Sequence, residues 1–91
     1  MLILTQYNDI VNLDKFRKIE IISDTERGKW RIWAIEKGAK PFHEGDVLGD
    51  YEHYTTATET IADIIKKAEV GCKTYVMPKE QRWENLLMKK R

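Results

Sequence analysis

Apolar positions along this chain recur first with a period of two and later with a period of three to four. Leu2–Thr5 is a short apolar run, Asn8-Asp9 supplies turn chemistry, and Ile10–Leu13 resumes the strand pattern. Lys18–Asp24 alternates, with Ile19 and Ile21 on one side and Glu20 and Ile22 on the other. Thr25-Glu26-Arg27-Gly28 then fits a hairpin turn, since Gly28 can take a positive φ. In Lys29–Glu36, Trp30, Ile32 and Ala34 share one face, and Arg31, Trp33 and Ile35 share the other. Both faces of this strand are substantially apolar, so a cover over the second face is expected.

Lys37–Gly45 contains Gly38, Pro41 and Gly45 and is predicted as a longer turn. Val47–Tyr54 returns as a strand, with Gly49 marking a bulge or a close approach. The period then changes. Thr56-Ala57-Thr58-Glu59 has capping-box spacing, and Ala57, Ile61, Ile64, Ile65 and Ala68 form one helical stripe. The spacing predicts a helix over Thr56–Val70, stopped at Gly71. Thr74–Val76 is a last short strand before Pro78. In Lys79–Arg91, Trp83, Leu86 and Leu87 lie at i, i+3 and i+4, which predicts a second helix. A helix this short is marginal alone and needs a surface to dock on.

These elements define an α+β fold: an antiparallel β-meander of four to five strands, one amphipathic helix packed on a face, a short final strand and a C-terminal helix. Residues 1–78 form the single domain, and 79–91 form a tail that docks on it or on a partner. With 91 residues there is room for one modest core and little for a deep internal pocket.

Charge changes the picture mainly by exclusion. Sixteen basic and fifteen acidic residues give a formal net charge of +1. Duplex-DNA binders carry a basic excess and DNA mimics an acidic one, so neither class fits. The single cysteine, Cys72, excludes an internal disulfide framework and fits a reducing compartment. No apolar run reaches the roughly 20 residues of a membrane span. Met1–Thr5 also lacks the basic head and apolar length of a signal peptide. The expected location is the cytoplasm of a bacterial host cell.

Candidate chemistry is sparse. His43, Glu44, Asp46, His53 and Cys72 do not have the close ligand spacing of a zinc site, so no metal and no cofactor is expected. Cys72 just past the helix stop is expected to be a small buried thiol rather than a nucleophile. Asp50 and Glu52 share a strand face, but glycosidase-type chemistry needs a cleft between two such groups. Lys29-Trp30-Arg31-Ile32-Trp33 interleaves basic and aromatic residues as single-strand nucleic-acid platforms do. The near-neutral charge argues against nucleic acid as the partner.

Val11-Asn12-Leu13-Asp14 leading to Ile19-Glu20-Ile21, then Leu48-Gly49-Asp50-Tyr51, a Thr-started helix and Tyr75-Val76-Met77-Pro78 form an ordered set. The set resembles a group of small, uncharacterised proteins of Gram-positive bacteria and their phages, with no assigned activity. That resemblance implies a scaffold and a phage or prophage setting, and no catalytic residue.

The expectation is therefore a non-enzymatic accessory protein that binds a host protein, with inhibition of a bacterial defence system as one form, or that self-associates as a homodimer. Its interaction residues are expected at Arg31, Trp33, Ile35, Trp83, Leu86 and Leu87, an apolar face rich in the Trp and Arg that anchor interfaces. Alternatives are a nucleotide or other small ligand held at an oligomer interface, and a single-stranded nucleic-acid module.

Overall fold

A computed structural model describes residues 1–38 and 45–80. The elements are β1 (Leu2–Leu4), β2 (Ile10–Asn12), a single 3-10 turn (Leu13–Lys15), β3 (Phe16–Asp24), β4 (Lys29–Glu36), β5 (Asp46–Tyr51), α1 (Tyr54–Glu69) and β6 (Thr74–Val76). The fold is α+β, and the expected antiparallel meander is present as β3-β4-β5. The other three strands form a second sheet in the order β2-β1-β6. In it β1 pairs antiparallel with β2 but parallel with β6, a long-range crossover that no local pattern announces. The predicted C-terminal helix, the tail beyond Glu80 and most of the Lys37–Gly45 turn lie outside the described residues.

Alternation, with its phase reset in β5 by the irregularity at Leu48, places the core. Ile32 and Ala34 on β4, Leu48 and Tyr51 on β5, and Ile3 on β1 point inward and are almost fully buried. Ala57 and Ile64 of α1, Tyr75 and Met77 complete the same cluster, and Ile19, Ile21 and Trp30 pack at its margin. The helix lies over β4 and β5. Its buried stripe is Ala57, Thr60 and Ile64, with Ile61 partly covered. The predicted continuation through Ile65 and Ala68 is exposed, so the stripe that packs ends at Ile64.

The helix also begins earlier than Thr56. His53 is its N-cap residue and makes no side-chain cap; Thr56 sits inside the first turn, so the predicted capping box does not form. Two features outside that motif set the start. Tyr54 meets Trp30 edge-on, with ring centroids 4.9 Å apart and planes at 71°. Glu80, far along the chain, brings its carboxylate to the helix entry and accepts from the backbone N–H groups of Glu52 (2.8 Å) and His53 (3.2 Å). At the other end the sequence reading holds. Gly71 has φ +79°. The N–H of Gly71 reaches the carbonyl of Ala68 and that of Cys72 the carbonyl of Lys67, the paired bonds of a Schellman stop.

The Glu80 contact reaches two residues past the boundary expected at Pro78. Burial raises the Glu80 pKa, but hydrogen bonds from the Thr56 hydroxyl, the Glu52 and His53 N–H groups and the His53 ring outweigh it and hold the carboxyl below its ordinary value. A folded pKa below the unfolded one contributes stability above the unfolded pKa, which is lost as pH falls through the folded one. Glu80→Gln is therefore expected to cost about 1 kcal/mol near neutral pH, as loss of a charged helix-entry acceptor does. Urea titration at pH 7 and at pH 3 checks this, with the difference from wild type shrinking at the lower pH.

Candidate functional site

Two surfaces stand out, one polar and one apolar. The polar one begins with Thr5, which is buried and whose hydroxyl accepts from the N–H groups of Tyr7 (3.1 Å) and Asp9 (3.2 Å). That tight turn, with Asn8 at φ +66°, aims Tyr7 across the end of β5. There the Tyr7 hydroxyl donates to Asp50 Oδ2. Arg31 stands directly opposite Asp50 in the β4–β5 register and donates from Nε to Oδ1 at 2.8 Å and from Nη2 to Oδ2 at 3.3 Å. Gln6 completes the network: its Oε1 accepts from the Asp50 N–H at 2.8 Å and its Nε2 donates to the Pro78 carbonyl at 2.9 Å.

The Asp50 side chain is only 6% exposed. Burial pushes its pKa up, but the Arg31 and Tyr7 hydrogen bonds overcome this and hold the carboxyl below its usual value. Tyr7 is raised in turn, first by burial and then by its bond to Asp50. An ionised, three-way-bonded carboxylate and a tyrosine pushed up are poorly suited to moving protons near neutral pH. Beside them lies an open hollow of about 350 Å³, bordered by Gln6, Tyr7, Lys29, Glu52, Lys79 and Glu80. Gly49 carries this packing: a Cβ there would lie 2.8 Å from Gln6 Cδ, and Gln6 is held at both ends of its amide.

The residues expected on an exposed interaction face are placed differently. Arg31 is committed to Asp50. Trp33 is half-buried and donates its indole N–H to Glu20 Oε1 at 2.7 Å, its directly opposite neighbour in β3. That bond is the main cause holding the Glu20 carboxyl below its ordinary value. Ile35 is 8% exposed, which removes it from any open patch. Trp83, Leu86 and Leu87 lie outside the described residues, as do His43 and Glu44. Among the described residues no group of three His, Cys, Asp or Glu side chains is arranged to hold a metal ion. No described helix is long and apolar enough to cross a membrane.

The apolar surface is on the smaller sheet. Its register sets Ile10 of β2, Leu4 of β1 and Val76 of β6 side by side across three strands, opposite in direction to buried Ile3 and Tyr75. Ile10 is 70% exposed and Val76 65% exposed, with Leu2 beside the row also open. At strand spacing the row spans roughly 10 Å. Leu2 and Ile10 continue into a hollow of about 340 Å³ whose other borders include Asn12, Lys15, Glu36 and Asp46.

Three-residue strands are too short for alternation to reveal a face, so sequence reasoning missed this row. It missed Gln6, Tyr7 and Glu80 because each acts on a residue more than twenty positions away. Comparisons with protein-family models, curated proteins and solved structures find no match for this chain.

Proposed function

We propose that this chain is a non-enzymatic interaction protein that docks a protein partner on the outer face of the β2-β1-β6 sheet. The observation that carries this reading is the exposed Ile10–Leu4–Val76 row. An apolar centre bordered by Lys15, Glu36 and Asp46 has the anatomy of a protein interface, with a dry core and a charged rim. Water is a poor covering for such a row, and a partner's apolar anchor would seat against it. The polar network around Asp50 supports the same reading by contrast: its charges are committed to one another and to the backbone, which suits a rigid scaffold. The resemblance of the short motifs to those of small phage-associated proteins favours a host protein as the partner, restraint of a bacterial defence system being one outcome of such capture.

Ile10→Lys and Val76→Lys test this. Both positions are solvent-facing, so each variant should keep its melting temperature to within the effect of about 0.5 kcal/mol. The expected result is a protein that co-purifies with wild type from host lysate and is lost from both folded variants, with direct binding of the purified pair abolished likewise. Equal capture by wild type and both variants would overturn the proposal.

A further inference from the structure

The longest strand, β3, ends the β3-β4-β5 sheet. One of its edges pairs with β4 from Phe16 to Asp24. Among the described residues, no backbone hydrogen bond reaches the other edge. Natural sheets usually blunt such an edge with charge, bulges or brevity. Here Glu20 and Asp24 add charge along the strand, and the register slips at its start, between Phe16 and Lys18. Ile19, Ile21 and Ile22 are all incompletely covered, whereas Ile32 and Ala34 on the neighbouring strand are fully buried. Among the described residues the apolar layer of Ile19 and Ile21 therefore runs to the sheet edge, with Ile22 on the opposite face.

We infer that the occupant of this edge is a second copy of the same edge, antiparallel, joining two meanders into one continuous six-stranded sheet. The charge order along β3 selects that partner and direction. Arg17 and Lys18 open the strand, and Asp24 closes it. An antiparallel copy lays the basic start of each strand beside the acidic end of the other, whereas a parallel copy would set like on like. With the two-fold axis at Ile21, Lys18 of each copy faces Asp24 of the other. Ile19 then faces Ser23 and Glu20 faces Ile22, so the incompletely covered isoleucines of both copies gather at the seam. Within one copy both groups have rivals that the seam pair replaces: Lys18 pairs with Glu20 at 3.3 Å, and Asp24 pairs with the exposed Arg27 at 3.8 Å and accepts from its N–H at 3.3 Å. The Ile10–Leu4–Val76 row lies on the other sheet, so pairing leaves it open. The dimer presents two docking rows and gains avidity for any partner that is itself repeated.

The experiment is size-exclusion chromatography with light scattering on the full chain over a concentration series. It uses wild type, Lys18→Asp, Asp24→Lys and the double variant, with circular dichroism to confirm folding. A dimer is expected for wild type, about tenfold weaker dimerisation for each single variant, and recovery in the charge-swapped double. Hydrogen exchange on wild type adds a reading independent of the variants: amides within Ile19–Ser23 should gain protection as concentration rises. A monomer at every concentration, a dimer indifferent to the single variants, or a double variant that does not recover would each overturn the inference.

Discussion

Asp50→Ala is expected to destabilise the fold by about 2–4 kcal/mol, since it leaves a partly buried guanidinium without its carboxylate. For a domain of this size that is a fall in melting temperature of roughly 10–25 °C. The loss includes more than the ion pair. The Tyr7 hydroxyl loses its acceptor, and the turn that Thr5 organises loses one of its anchors on β5, the Gln6 bonds to the β5 backbone remaining. Asp50→Asn keeps the volume and separates charge from packing; its cost should fall between wild type and the Ala variant. Because the folded pKa of Asp50 is lowered, its stabilisation is fully present above the unfolded value, near 3.9, and disappears as pH falls through the folded one. The gap between wild-type and variant melting temperatures should therefore be wide at pH 7 and narrow toward pH 2. A gap independent of pH would show that packing alone is at work.

Ile32→Ala should be of comparable or larger effect, about 2–5 kcal/mol, because the side chain is fully buried between the sheet and α1. A domain of this size has a total stability of the order of 5–10 kcal/mol, so the variant would stand close to unfolding at body temperature. Urea titration should show a lowered midpoint with an unchanged slope if the native state survives with a cavity. A reduced slope would mean that the core has loosened more widely. Ile35→Ala offers a comparison one strand face away: Ile35 is buried yet stands outside the main cluster, so a smaller loss is expected there.

How much of this was legible depended on distance along the chain. β4 was predicted at its observed bounds because eight alternating residues fix a strand whatever surrounds them. The Gly71 stop and β6 were likewise readable, since a positive φ and a proline act locally. The helix entry was not: a local Thr-x-x-Glu motif lost to a ring contact with Trp30 and a carboxylate from Glu80. Trp33 looked like an exposed anchor because nothing in its own strand shows that Glu20 stands opposite it. The apolar Ile10–Leu4–Val76 row was the least legible feature. It exists only once β1, β2 and β6 are in register; one of the two pairings crosses a turn and the other joins β1 to the distant β6.

The parallel β1–β6 ladder has a kinetic side. Leu2 pairs with Thr74 and Leu4 with Val76, so β1 finds its second neighbour only after β2 to β5 and α1 have all been made. The β3–β4 hairpin and α1 need only neighbours in sequence and can form while the chain is still growing. Closing so long a loop is costly before its contacts repay it, which makes this ladder a late event in folding. Until then the apolar first strand, flanked by β2 alone, depends on a hairpin that is marginal by itself. A growing chain thus carries Leu2, Ile3 and Leu4 incompletely covered until β6 has been made, and β6 acts as the clasp that ends that exposure.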